Sequence, residues 1–347
     1  MKAWVLHGVN DLRFEDVKVP DIGVDEILLS VKAAGICGSD IPRIFYTGTY
    51  SYPLIPGHEF AGQVAEIGSG VDKKWQGQRV GVFPLIPCHV CPPCQAGAYE
   101  MCRKYSYLGS RRDGGFAEYV AVPEKNLIAL PEGVSFEEAA MLEPMSVAVH
   151  AMRKIRPVLG ERIAICGLGT IGLFLLMFLL EAGPKNIYAI GNKEFQRQMA
   201  KRLGLPAEVF CDSRKQDAEA WLAERTGGAG ADVFFECVGR NETVAQAVKM
   251  TAPGGRVMLV GNPASDMTLP KETYWKILRN QLTVLGTWNS SFTHNVDDDW
   301  HYVLERLGDG KVSPAAFITH RISLEELDRG LAVMKDKKEE YGKVMVR

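Results

Sequence analysis

The chain has 347 residues, 40 Lys and Arg against 42 Asp and Glu, and a formal charge of −2. That length exceeds what one hydrophobic core usually serves and points to two domains. The near-neutral balance excludes a general attraction to nucleic acid or to an anionic membrane, so an anionic ligand has to be met by a local cluster.

The first residues, Met1 to Gly8, turn polar too soon to form the apolar core of a signal peptide, which predicts a cytoplasmic protein. Eight cysteines in that compartment argue against a disulfide framework. From Met1 to about His150 the pattern predicts short strands separated by Gly- and Pro-containing turns, with few long helical patterns. Three segments here carry metal-binding residue types: Cys37 within Gly35-Ile36-Cys37-Gly38-Ser39-Asp40, His58-Glu59 after Gly57, and Glu143 in Leu142-Glu143-Pro144. One thiolate, one imidazole and one carboxylate would leave a zinc coordination position open to water or substrate. Spacing alone does not bring them together, and singly Cys37 also suits a buried small residue and His58 a core histidine.

Between them, Cys88, Cys91, Cys94 and Cys102 lie within fifteen residues on a segment whose Pro87, Pro92, Pro93 and Gly97 exclude regular helix. Four soft thiolates at that spacing suit a closed, tetrahedral structural zinc site. A nucleic-acid-binding zinc module would need a basic face, and Gln95 to Glu100 supplies none.

From about Ala151 apolar runs alternate with longer amphipathic segments. Arg162 to Cys166, Ile187 to Ile190, Val233 to Val238, Arg256 to Val260 and Leu282 to Gly286 predict strands of a parallel sheet covered on both faces. The uncharged run Ile163 to Leu180 is as long as a short membrane span, but Gly167, Gly169 and Gly172 inside it fit a strand, turn and helix instead. Gly167-Leu168-Gly169-Thr170-Ile171-Gly172 is a G-x-G-x-x-G loop directly after a predicted strand, the context in which glycines admit a dinucleotide pyrophosphate at a helix N-terminus. Where an Asp or Glu normally holds the adenosine ribose, the chain reads Gly191-Asn192-Lys193, with Arg197 one turn on. Without that acid a 2′-phosphate is not repelled, so NADP is favoured, with NAD the alternative if Asn192 serves the ribose. Trp300 to Leu307 and Leu324 to Met334 predict helices, and Lys343 to Val346 a final strand.

Taken in order and spacing, Cys37, Gly57-His58-Glu59, the four-cysteine lobe and Gly167 to Gly172 resemble the zinc-dependent medium-chain alcohol dehydrogenase family along the whole chain. Cys37-Gly38-Ser39-Asp40 and Leu142-Glu143-Pro144 are similar to its sorbitol dehydrogenase branch, in which a glutamate replaces a second cysteine as zinc ligand. Closer still, Pro42 to Phe45, Gly109 to Tyr119 and Lys276 to Arg279 resemble the enzymes that act on galactitol 1-phosphate, with Gly191 departing from their Asp.

The resemblance implies an α/β fold: a GroES-like, β-rich catalytic domain over residues 1–150 and 290–347 with a zinc lobe at 85–105, and a Rossmann doubly wound domain over 151–289. It implies an active site in the cleft between them and a homodimer or homotetramer. It also implies two zinc ions per chain, one held by Cys37, His58 and Glu143 and the other by the four cysteines, with NADP or NAD as redox partner. Ser39 matches the position that passes the alcohol proton outward, and Glu59 that of an orienting or exchangeable carboxylate. The substrate is expected to be a polyol or polyol phosphate, with Arg43, Arg111 and Arg112 as candidate phosphate contacts unless they pair with carboxylates. Another ketose phosphate or a threonine-type substrate is the rival on the same scaffold.

Overall fold

A computed structural model describes residues 1–263 and 265–347 and resolves two units, Met1–Pro144 with Ser291–Arg347, and Met145–Ser290. The first is built around a seven-stranded sheet whose centre is the long strand Glu26–Ile36. One side of this strand pairs along its length with Glu59–Ile67. Its other side is shared: the first half pairs with Tyr119–Pro123 and the last residues with Lys343–Val346, both antiparallel. Strand Ile318–Ile322 adds outside Lys343–Val346, and Arg79–Val82 and Leu127–Ala129 extend the opposite edge. Being paired on both sides, the last four residues of Glu26–Ile36 and all of Lys343–Val346 are buried, and Ala34, Ile36, Val344 and Val346 join Phe60, Val64, Val80 and Leu331 in one core.

Two helices appear where the pattern suggested few. Phe136–Ala140 opens with a Ser135–Glu138 capping box, and Leu142–Ile155 follows at once. The second is hard to see in the sequence because Pro144 reads as a breaker, yet proline in a first turn forfeits no intrahelical bond. Glu143 therefore stands at a helix start rather than in a loop. The cysteine lobe is corrected in the same way. It contains one helical turn, Pro92–Gln95, with proline at its first positions, and a 3₁₀ turn, Tyr99–Met101. The antiparallel pair Leu85–Ile86 and Ser106–Tyr107 forms its stem.

The second unit carries a six-stranded, all-parallel sheet in the order Phe210–Asp212, Ile187–Gly191, Ile163–Cys166, Ala231–Glu236, Thr251–Leu259, Thr283–Gly286. Counted within the unit this is 3-2-1-4-5-6, the dinucleotide-binding arrangement in which ligands sit at the carboxyl ends where strand order reverses. Ile163–Cys166 is wholly buried, and helix Thr170–Ala182 buries eight of its side chains or glycines. Among the described residues no helix is long and apolar enough to cross a membrane.

Candidate metal centres and dinucleotide loop

Sheet register alone gathers the first centre. Cys37 directly follows Glu26–Ile36; Gly35 is the register partner of Glu59, and Ile36 of Val344. Ligand atoms of Cys37, His58 and Glu59 consequently lie within 4.8 Å of one another. Glu143 is not in that trio. Its Oε1 accepts a hydrogen bond from the Tyr107 hydroxyl at 3.1 Å, and the Tyr107 ring meets His58 edge-on at 5.9 Å between centroids. Ser39 Oγ donates to Cys37 Sγ at 3.3 Å.

Asp40, which sequence reasoning quoted but gave no role, ties this centre together. Its Oδ2 accepts from the Cys37 backbone N–H at 2.9 Å, and its Oδ1 lies 3.1 Å from Arg43 Nη1 and 3.3 Å from His58 Nδ1. The Asp40 carboxylate thus faces Nδ1 at ion-pair distance without a hydrogen bond, and a carboxylate on that side favours the imidazole presenting Nε2 to a metal. Lys343 was also missed. Its Nζ forms an ion pair with Glu59 and donates to the Ile36 carbonyl at 3.0 Å. A lysine in an apolar final strand gives no local signal of such a partner, which lies 284 positions away.

The electrostatics favour added positive charge. Asp40, Glu59 and Glu143 are 0%, 1% and 7% exposed; Arg43 pairs with Asp40 and Lys343 with Glu59. Glu143 makes no ion pair among the described residues, and a cation at the Cys37–His58 site would favour its charged form. Burial opposes charge on His58, but Asp40 and Cys37 still raise its pKa well above the ordinary value. Burial lifts the Glu143 carboxyl to about 7 against the pull of His58. On Lys343 burial works against the charge, and Glu59, with Cys37 behind it, more than restores it. These donors fit a zinc ion with a position left open.

The second centre is closed. Cys88, Cys91, Cys94 and Cys102 place their sulfurs within 4.8 Å of one another, with Cys91–Cys94 at 3.4 Å, Cys91–Cys102 at 3.9 Å and Cys88–Cys94 at 4.0 Å. A tetrahedron of about 2.3 Å Zn–S bonds has edges near ~3.8 Å, so the four fit zinc. Backbone N–H groups of Arg103 and Cys94 pull the Cys91 thiol down to about 6, easing its ionisation, while burial pushes Cys94 up to about 12.

In the dinucleotide loop Gly167 adopts φ +93, a left-handed conformation that favours glycine, and a Cβ on Gly172 would collide with the Gly167 carbonyl. Gly169 caps the following helix, which Thr170 and Ile171 open and whose first N–H groups have no partner within it. Glu236, another residue without a sequence signal, closes the neighbouring strand. It is buried and accepts from the Val238 and Gly239 N–H groups and the Thr243 hydroxyl. After Ile187–Gly191, Gln196 Oε1 accepts from the backbone N–H of Asn192 and Lys193, and Arg197 pairs with Glu194. A Cβ on Gly191 would stand 2.7 Å from Gln196 Oε1 and 2.9 Å from the Phe210 ring. The acid missing from the fingerprint is therefore a residue for which this backbone has little room.

The three candidate phosphate arginines part company. Arg43 is committed to buried Asp40, and Arg112 to Glu26 at 2.6 Å. Arg111 lies between the rings of Tyr50 and Tyr105, at 4.1 and 4.3 Å, and donates from Nη1 to the Tyr105 carbonyl; its Nε has no hydrogen-bond partner.

A β-rich unit with an open Cys-His-Glu centre and a four-cysteine lobe, in one chain with a unit whose sheet has dinucleotide-binding order, defines a zinc-dependent dehydrogenase. The chain belongs to the zinc-binding alcohol dehydrogenase family: residues 23–132 match its alcohol dehydrogenase GroES-like domain and residues 170–309 its zinc-binding dehydrogenase domain. It is 36% identical to galactitol 1-phosphate 5-dehydrogenase of Escherichia coli (strain K12) over 94% of both chains. It is 32% identical to sorbitol dehydrogenase of Bacillus subtilis (strain 168), covering 100% of this chain and 97% of that one. The crystal structure of galactitol-1-phosphate dehydrogenase from Escherichia coli superposes with a TM-score of 0.92 at 35% identity, covering 100% of this chain and 99% of that one. A zinc-binding dehydrogenase from Sinorhizobium meliloti 1021 bound to NADP gives 0.90 at 30% identity, with 99% and 98% covered.

Proposed function

We propose that this protein oxidises a secondary alcohol of a polyol phosphate such as galactitol 1-phosphate, or reduces the matching ketose, exchanging the hydride with NADP or NAD. The observation that carries this reading is the meeting of Cys37, His58 and Glu59 within 4.8 Å, in a chain that aligns end to end with polyol dehydrogenases. Zinc bound there supplies Lewis acidity toward a substrate oxygen. Cys37 and His58 hold it, with Glu143, a buried carboxyl bonded to the Tyr107 hydroxyl, as the third ligand and Glu59 beside it. Asp40 fixes the imidazole, and Ser39, in contact with Cys37, takes the alcohol proton and passes it outward.

In this reading Cys88, Cys91, Cys94 and Cys102 bind the structural zinc, and Gly167 to Gly172 the pyrophosphate, with Asn192, Lys193 and Arg197 at the adenosine ribose. Arg111 takes the substrate phosphate. The engagement of Arg43 and Arg112 with carboxylates favours a second reading, an unphosphorylated polyol of the sorbitol type.

The subunit associates into a homodimer or homotetramer. Supporting this, the edge strand Thr283–Gly286 leaves one side unpaired, with Val284 39% exposed, and Tyr274, Trp275, Leu278 and Trp288 are exposed as well. Eight cysteines free of disulfides agree with a reducing, cytoplasmic setting.

The test is a scan of galactitol 1-phosphate, free galactitol and sorbitol with NAD and NADP, read at the nicotinamide absorbance band, with and without prior zinc removal. Activity on none of them, or activity untouched by zinc removal, refutes the assignment. Equal efficiency on phosphorylated and free polyols leaves the sorbitol-type reading.

A further inference from the structure

An arginine offers its Nε and Nη2 hydrogens as a planar fork, and this chain uses that fork repeatedly. Arg13 grips Asp11 with it, Arg162 grips Asp232, Arg197 grips Glu194 and Arg214 grips Asp212, each through both nitrogens. The same edge of Arg111 meets no carboxylate among the described residues. Its side-chain hydrogen bond leaves from Nη1, to the Tyr105 carbonyl, and Nε is buried without a partner. A buried charged donor left unbonded is unfavourable, so a fold that retains one points to an acceptor from outside the chain. The flat faces of the guanidinium are covered, with the Tyr50 ring at 4.1 Å and the Tyr105 ring at 4.3 Å. An incoming group can reach only the edge, and a fork met side-on binds a phosphate through two parallel bonds. The position agrees. The Tyr105 ring meets Tyr107 edge-on at 6.3 Å, and Tyr107 in turn packs on His58 and bonds to Glu143. Arg111 therefore stands two tyrosines from the open metal centre, so that a chain molecule carrying its phosphate at one end can meet both.

We propose that Tyr50 is a positioning residue that, with Tyr105, clamps the Arg111 guanidinium so that its Nε–Nη2 edge receives the substrate phosphate, and that this clamp sets the preference for a phosphorylated over a free polyol. The inference rests on the phosphate reading above. The two rings are held differently. Tyr105 adjoins the stem of the cysteine lobe and is half-buried, whereas Tyr50 is 73% exposed. With most of its surface in water, the Tyr50 ring adds little to the core, and what it covers is Arg111. The contact needs the face of the ring and not its hydroxyl. It also needs a guanidinium, since the ammonium of a lysine is a point charge without a fork.

The test measures kcat/KM for galactitol 1-phosphate and for free galactitol, and the Ki of inorganic phosphate against the phosphorylated substrate. The proteins are wild type, Tyr50→Leu, Tyr50→Phe, Arg111→Lys, Arg111→Ala and the double variant Tyr50→Leu with Arg111→Ala. In Tyr50→Leu the ratio of the two efficiencies should fall about three- to fivefold, the size of an exposed cation–π contact, with the loss in KM rather than kcat. Tyr50→Phe should keep the wild-type ratio. Arg111→Lys should lose most of what Arg111→Ala loses, and Tyr50→Leu should add nothing once Arg111 is Ala. The Ki of phosphate should rise in the same order. A ratio untouched by Tyr50→Leu, equal losses on both substrates, or a wild-type ratio in Arg111→Lys overturns the proposal. If Tyr50→Leu does not fold, Tyr50→Gln, a polar residue suited to an exposed position, takes its place with the same expected ratio. A wild type that uses both polyols equally, with no change of ratio in Arg111→Ala, refutes the phosphate reading itself. A preference that depends on Arg111 and not on Tyr50 overturns the clamp alone.

Discussion

Tyr107 and Glu143 are joined by a 3.1 Å hydrogen bond although they belong to different parts of the first unit, Tyr107 to the stem of the cysteine lobe and Glu143 to the start of a helix. The bond orients a buried carboxylate beside the open metal centre. Tyr107→Phe removes it while keeping the ring that packs on His58. Turnover should fall about tenfold, the effect of a charged hydrogen bond worth roughly 1.5 kcal/mol, with zinc content unchanged. Steady-state kinetics and metal analysis check this; wild-type turnover in a folded variant would remove Tyr107 from the site.

The two centres should fail differently. Cys37→Ser is expected to abolish turnover and leave thermal stability within a few degrees of wild type, with one zinc per chain retained. Cys91→Ser opens a closed tetrahedron and should lower the melting temperature markedly and weaken oligomer integrity. Zinc stoichiometry and calorimetry on both variants distinguish the roles, and equal destabilisation by both would contradict them.

Arg112 and Arg111, adjacent in sequence, should separate in function. Burial raises the Glu26 carboxyl, but the Arg112 guanidinium and the Gly23 N–H outweigh it and hold the group below its ordinary value. A carboxylate depressed in the folded state contributes stability above its unfolded pKa and loses it as pH falls through the folded one. Arg112→Ala should therefore cost about 1 kcal/mol at neutral pH, with the difference from wild type closing in the acid range, and should leave catalytic efficiency nearly unchanged. Arg111→Ala should lose roughly thirtyfold, about 2 kcal/mol, on galactitol 1-phosphate and little on the free polyol. Equal losses on both substrates would take the phosphate away from Arg111.

Cofactor preference should respond to position 192 more cleanly than to 191. On the proposed placement of Asn192 at the adenosine ribose, Asn192→Asp adds a carboxylate there without a larger side chain and should shift the NADP to NAD efficiency ratio at least about tenfold toward NAD. Gly191→Asp should shift it too, but with lost stability, since its Cβ meets Phe210 and Gln196. A wild type that ignores NADP would defeat the premise.

Much of this was readable from residue types. The strand and glycine pattern around Gly167 specifies its turn because G-x-G-x-x-G encodes local geometry, and four cysteines in fifteen residues announce a metal by spacing alone. Cys37, His58 and Glu59 were identifiable as ligand types, but their meeting depends on sheet register, which no local pattern carries. Hence the choice of Glu143 as third ligand could be made by resemblance, while the closeness of Glu59 and its engagement by Lys343 emerge only once Lys343–Val346 is seen beside Glu26–Ile36. Asp40 escaped because an aspartate after a turn residue looks like an ordinary cap. For the arginines, charge near a site is visible in sequence, and the engagement of Arg43 with Asp40 and of Arg112 with Glu26 is not.

The distance in sequence between Glu59 and Lys343 also sets an order of events in the life of the molecule. During synthesis Glu59 leaves the ribosome 284 residues ahead of the lysine it pairs with, and Cys37 and His58 leave earlier still. The buried ion pair can therefore form only once the C-terminal strand has joined the sheet, so the inner end of the sheet stays incomplete until the last residues of the chain are made.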